Sequence, residues 1–235
     1  MKILFLLPLL FVFACSQGQQ STKGKVENYS GGVADVMLSL FEGESPFKVG
    51  AISKDGSLTI DLDLYSEQLI SDIENSKFTD PFAYSFQYIC EDIDNFPQFD
   101  NQPNGKNIGH FEIWQNSEWQ DNLFAADNKE LRYWIQNPAY LSAVKGSFFQ
   151  VTLSTQDIDM RHTCSNTDFY DNTEEITVEI EYDLILKKGL NLIEYEILEV
   201  HQPSSTERGA FPVKVRVKNP GENAAILWFT DSEQT

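Results

Sequence analysis

The sequence predicts an all-β, sandwich-like fold with at most one or two short helices. Three observations carry that expectation. Apolar and polar residues alternate with a period of two through most of the chain, as half-buried strands require. The 235 residues include 17 Phe, 9 Tyr and 4 Trp, a content that suits strands and opposes global disorder. Short Gly, Asn, Asp and Pro clusters punctuate the alternating runs at turn-like spacing.

The chain opens differently. One positive charge, Lys2, precedes an uncharged apolar run from Ile3 to Ala14. That run is too short to span a bilayer, which takes about 20 residues, but it has the length of a secretory signal. It ends in Val12-Phe13-Ala14-Cys15 and gives way at once to polar Ser16-Gln17-Gly18-Gln19-Gln20-Ser21-Thr22. This junction resembles the lipobox of bacterial lipoproteins. The resemblance implies cleavage after Ala14, lipid on Cys15 and a flexible tether over residues 15–25. Acyl chains contribute about 0.8 kcal/mol per buried methylene, so two or more chains hold a protein stably on a membrane. An ordinary secreted protein with an incidental cysteine is the alternative.

The remainder divides into an expected N-terminal β half, 26–100, and a C-terminal β half, 108–235, either of which can be part of one continuous domain. Val33 to Phe41 and Phe47 to Ser53 read as strands. Lys54-Asp55-Gly56 turns the chain into Ser57-Leu58-Thr59-Ile60-Asp61-Leu62, and Asp-Gly is a strong hairpin signal because Gly accepts a positive φ. In Tyr65 to Ser76 the residues Leu69, Ile70 and Ile73 share one helical face behind Ser66, so a short helix is expected. Phe82, Tyr84, Phe86 and Tyr88 then alternate up to Cys90 and read as a strand with an aromatic face. Asp94 to Asn107, rich in Pro, Asn, Asp and Gly, reads as a long loop or boundary. Ile108 to Gln115, Leu131 to Gln136 and Phe148 to Ser154 read as strands, although Leu131, Trp134 and Ile135 also suit a helix. Further on, Ile176, Val178, Ile180 and Tyr182 oppose Glu179, Glu181 and Asp183, and Lys187-Lys188-Gly189 turns the chain. Ile193, Tyr195 and Ile197 oppose Glu194 and Glu196. Val213, Val215 and Val217 alternate with Lys214, Arg216 and Lys218. Ala225 to Thr230 closes the chain.

Gly24-Lys25-Val26-Glu27-Asn28-Tyr29, Gly31-Gly32 and Lys54-Asp55-Gly56-Ser57-Leu58-Thr59-Ile60 resemble the opening of uncharacterised Bacteroidota lipoproteins. Tyr182-Asp183-Leu184-Ile185-Leu186-Lys187-Lys188-Gly189-Leu190-Asn191 resembles their C-terminal hairpin, with Leu190 standing where that pattern usually has Trp. The resemblance implies a sandwich-like fold and an envelope location. Acidic residues, which often follow the lipidated cysteine of surface-exposed members, are missing from Ser16 to Thr22, so it points to a periplasm-facing anchor on the outer membrane. It implies no activity.

The formal charge is −19, and removing residues 1–14 takes away Lys2 and no acid. So acidic a chain is a poor partner for nucleic acid or for anionic headgroups. With Cys15 lipidated, Cys90 and Cys164 remain as an even pair in an oxidising compartment, so a disulfide between them is expected. It would close a loop of about 74 residues, worth about 4 kcal/mol in the chain-entropy model.

Chemistry-bearing motifs are sparse. Asp92-Ile93-Asp94-Asn95 and Asp157-Ile158-Asp159 offer oxygen ligands but do not continue as calcium loops, and read as acidic turns. His162-x-Cys164 would bind zinc or copper only with Cys164 reduced, and no second ligand pair stands at zinc spacing. There is no Gly-x-Ser-x-Gly elbow, His-Glu-x-x-His helix or phosphate cradle. No cofactor and no catalytic residue is nominated. Trp114 and Trp119, with Trp134 and His110 nearby, can stack on sugar rings or a peptide, or fill the core, the commoner use of large rings. Lys214, Arg216 and Lys218 read as cross-strand partners of Glu179, Glu181, Glu194 and Glu196. The function expected is a non-catalytic envelope module that binds or scaffolds a protein or glycan partner. The alternative is an envelope hydrolase acting on glycans or peptides.

Overall fold

The computed structural model describes residues 21–40, 45–75, 80–93, 96–99, 103–138, 141–170, 174–203 and 209–231. The expected signal peptide, the expected lipidation site Cys15 and the expected tether as far as residue 20 lie outside the described residues. Within them the chain is all-β and sandwich-like, with one large mixed sheet and two short α-helices.

Four early strands are β1 (Ser21–Lys25), β2 (Ala34–Leu38), β3 (Phe47–Ile52) and β4 (Ser57–Asp61). Ser21–Lys25, read from sequence as the end of a tether, pairs along its whole length with β4. The β3–β4 turn forms as expected: Gly56 has φ +83°, Ser53 N–H donates to Ser57 C=O, and Gly56 N–H donates to Ser53 C=O. Helix α1 (Ser66–Asn75) buries Leu69, Ile70 and Ile73, the face read from its spacing.

Strands β5 (Asp80–Pro81) and β6 (Asn104–Gly109) form a short pair, followed by β7 (Phe111–Gln115) and β8 (Glu118–Ala126). Asn104–Asn107 was expected in a loop. Its sequence has no strand pattern, and it is extended because it pairs with the next long strand, β9 (Gly146–Ser154). Helix α2 (Glu130–Gln136) resolves the Leu131–Gln136 ambiguity against a strand. Asn128 Oδ1 accepts from the N–H groups of Glu130 and Leu131 and satisfies the helix start. The C-terminal third supplies β10 (Ile158–Tyr170), β11 (Glu174–Leu186), β12 (Gly189–His201), β13 (Phe211–Lys218) and β14 (Leu227–Thr230).

The order across the sheet is β1-β4-β3-β2-β7-β8-β9-β12-β13-β11-β10, with β14 on β8 and β6 on β9. Strands β9 and β12 form a wall buried on both sides. Val151, Leu153, Leu190 and Leu192 face a core shared with β2, β3, β4, β7 and α1. Phe148, Ile193, Tyr195 and Ile197 face a second core shared with β10, β11, β13 and α2. This explains why Leu190-Asn191-Leu192-Ile193 lacks clean alternation.

The Lys187-Lys188 turn is present, but the strands on either side of it are not ladder partners. They diverge, and β13 lies between them, parallel to β11 and antiparallel to β12. Side-chain amides close the fork. Asn191 is fully buried; it accepts from Lys187 N–H and donates to the Lys187 and Gly189 carbonyls. Asn219 accepts from Ile185 N–H and donates to Ile185 C=O. Each amide does the work of a peptide unit where the ladder opens.

The expected strand through Phe82 to Cys90 is corrected. Phe82–Tyr84 is a single 3-10 turn, and the following residues bend across the second core rather than joining a ladder. Phe82 and Phe86 are buried while Tyr84 is exposed. Side chains and loops meet the backbone needs of this strap: Thr152 Oγ1 donates to Ser85 C=O, Gln87 N–H to Tyr195 Oη, Tyr182 Oη to Tyr88 C=O and Asn166 Nδ2 to Ile89 C=O. Burial pushes the Tyr88, Tyr182 and Tyr195 hydroxyls up, so they stay protonated, Tyr182 as a donor and Tyr195 as an acceptor. At the end of the strap Cys90 is bonded to Cys164 of β10, with Cα atoms 5.7 Å apart, as the cysteine count predicts.

Candidate functional site

The β7–β8 hairpin turns on Asn116 and Ser117, whose φ values are +51° and +66°. Two successive positive φ values make a turn whose twist matches that of the flanking strands. Pairing runs Phe111↔Leu123, Glu112↔Asn122 and Ile113↔Asp121, then shifts to Trp114↔Trp119. Without that shift Gln120 would oppose Trp114, and Trp119 would point to the other face. The bulge therefore carries Trp119 onto the face of Trp114.

The two indoles differ in support. Trp114 is half-buried, and its Nε1 donates to Glu112 Oε2 at 2.7 Å. Glu112 Oε1 accepts from Ser39 Oγ at 2.7 Å, so the carboxylate that orients the ring is itself held. Trp119 is 53% exposed, one of the largest apolar surfaces open to solvent. Trp134 takes the other course expected of such rings and is buried in the second core. On the opposite side of β7, Gln115 Nε2 donates to Gly31 C=O and to Tyr29 Oη, tying the hairpin to the β1–β2 loop.

Following the same face towards the sheet centre leads to His110. Its ring lies tilted against Phe124, with centroids 4.9 Å apart, and the residue as a whole is exposed. Desolvation pulls the imidazole below its ordinary value, partly offset by hydrogen bonding to Asn122 and by the charges of Glu112 and Asp231. Beside it is a hollow of about 170 Å³ lined by His110, Asn122, Phe124, Gln136, Gln150 and Asp231. Enclosed small-molecule sites run to about 300–1,000 Å³. This hollow suits one ring-sized group of a ligand that continues along the surface.

The face thus combines two indole rings with imidazole, amide and carboxylate groups. Sugars ask for this combination, because their rings present C–H faces to aromatics and hydroxyls to polar side chains. Both oxygens of Glu112 are already engaged, an arrangement that orients a neighbour rather than transferring protons. Trp114, Trp119 and His110 were legible as candidates. Asn122, Gln136, Gln150 and Asp231 were not, because they come from strands and a helix whose sequence spacing says nothing of their meeting.

Asp157 and the basic stripe fall into structural roles, while Asp94 and Asn95 of the other acidic turn lie outside the described residues. Asp157 caps the Lys187-Lys188 turn, accepting from Lys188 N–H at 2.8 Å and pairing with Lys187. Lys214 bridges Glu179 and Glu181, Arg216 bridges Glu181 and Glu196, and Lys218 bridges Glu194 and Glu196, all within 3.4 Å. The basic stripe on β13 is therefore an internal zipper to β11 and β12, as its spacing predicts. Among the described residues no helix is long and apolar enough to cross a membrane. No protein-family model, curated protein or solved structure matches the chain.

Proposed function

We propose that the chain is a lipid-anchored envelope binding module whose β7–β8 face takes a neutral glycan. One observation carries the ligand class: a register shift brings exposed Trp119 beside Trp114, whose ring is pinned through Glu112. Glu112 and Asp231 beside the hollow disfavour anionic sugars and suit hydroxyl-rich neutral ones. The anchor rests on the Val12-Phe13-Ala14-Cys15 junction and agrees with a cystine of the kind that oxidising compartments retain.

The test uses the full-length protein in its native envelope and the detergent-extracted form. Neutral and anionic oligosaccharides are titrated against intrinsic tryptophan fluorescence. Trp119→Ala should weaken binding of the neutral set about tenfold, equal to about 1.4 kcal/mol, and leave thermal stability near wild type. Equal affinity in Trp119→Ala, or a preference for anionic sugars, would overturn the ligand assignment. Cys15→Ala should release the protein from membranes; retention after a carbonate wash would overturn the anchor.

A further inference from the structure

Strand β10 places His162 and Cys164 two residues apart, so both point to the same face of the sheet. That face is met by Phe96 and by the strap over residues 82–93, which delivers Cys90 to Cys164. One ligand atom from each of Cys90, His162 and Cys164 lies within 4.8 Å of the other two. His162 packs edge-on against Phe96, and its Nε2 is shielded from solvent without a hydrogen-bond partner. A shielded, unpaired imidazole nitrogen costs about 1–3 kcal/mol, and the fold supplies no reason for it. The same imidazole brings one of its ring nitrogens within 4.8 Å of both sulfurs.

We propose that reduction of the Cys90–Cys164 cystine converts this corner into a three-donor, two-sulfur and one-nitrogen site for copper(I). Thiolates select soft cations, chiefly copper(I) and zinc. Structural zinc is almost always held by four ligands, and the described cluster supplies three. That donor number, with two thiolates in it, favours copper(I). In the oxidised chain both sulfurs are consumed by their mutual bond, so metal binding and the cystine exclude each other. His162 and Cys164 are half-buried rather than sealed, which leaves an approach from solvent.

The chemistry balances with a phosphine as reductant. The S–S bond breaks and accepts two electrons. The phosphine takes the oxygen of one water, and that water's two protons pass to the two thiols. Copper(I) then displaces those protons to solvent as it bonds to both sulfurs.

The full-length protein is reduced with a phosphine, desalted without oxygen and titrated with copper(I) against a chromophoric copper(I) chelator. One copper per chain is expected, with a thiolate-to-copper absorption band in the near ultraviolet, and none for the oxidised chain. His162→Gln should weaken binding at least tenfold. X-ray absorption of the wild-type complex should show two sulfurs and one nitrogen, a readout independent of whether the variant folds. Binding by the Cys90→Ser/Cys164→Ser chain equal to wild type, or a metal shell of sulfur alone, would overturn the proposal.

Discussion

Asp55 shows how much one exposed side chain can organise. Its carboxylate accepts from Ser53 Oγ at 2.6 Å, from Ser57 Oγ at 2.9 Å and from Ser57 N–H at 3.2 Å, which holds its pKa down to about 2. A carboxyl depressed in the folded state contributes stability that is whole above its unfolded value and is lost as pH falls through its folded one. The turn's contribution should therefore persist to about pH 4 and fade as pH approaches 2. An NMR titration of the Asp55 carboxyl should show a midpoint near 2, and a midpoint near the ordinary 3.8 would mean the three hydrogen bonds are not formed. Residue identity was informative here because Asp-Gly is a local instruction. Trp119 is the contrary case: its type and neighbours permitted both core and surface, and the deciding feature, an extra residue at Gln120, is a property of pairing that no local pattern records.

At the scale of elements, the fork between β11 and β12 tests the two amides differently. Asn191 is buried and makes three hydrogen bonds, so Asn191→Ala should cost about 2–3 kcal/mol by stranding backbone groups away from water. Asn219 makes two bonds near solvent, where water can replace them, so Asn219→Ala should cost about 1 kcal/mol. Chemical denaturation of the two variants measures the contrast; equal losses would show that the amides do not seal the fork. Strands β4, β11 and β13 were readable because each buries about one side chain in two over much of its length, and β12 because Glu194 and Glu196 separate Ile193, Tyr195 and Ile197 in sequence although both of its faces are covered. Strand β10 was missed because Arg161, Thr163, Ser165 and Thr167 alternate with Met160, His162, Cys164 and Asn166, a pattern with little apolar contrast. The strap was misread for the opposite reason: its aromatics alternate as in a strand, yet its backbone is served by Tyr195, Tyr182, Thr152 and Asn166 from the sheet beneath.

For the whole molecule, the two cores predict unequal dependence on the cystine. Cys90 and Cys164 are 74 residues apart, and a link of that span is worth about 4 kcal/mol in the chain-entropy model. Cys90→Ser/Cys164→Ser should lose stability of that order. Hydrogen exchange should rise first over residues 85–93 and along β10, while the core around α1 and β2–β4 keeps its protection. Uniform loss across both cores would show that they unfold as one unit. The all-β class followed from alternation and aromatic content, but the double-faced β9–β12 wall did not, because it depends on distant segments closing over both of its sides.

The position of β13 has a consequence for biogenesis. A strand that must enter between two already connected neighbours, and a later strand, β14, that meets β8 and Val26, leave the sheet incomplete until residues 211–230 are in place. Such distant pairings form slowly. A nascent copy therefore cannot close the sheet while β13 and β14 are still being made.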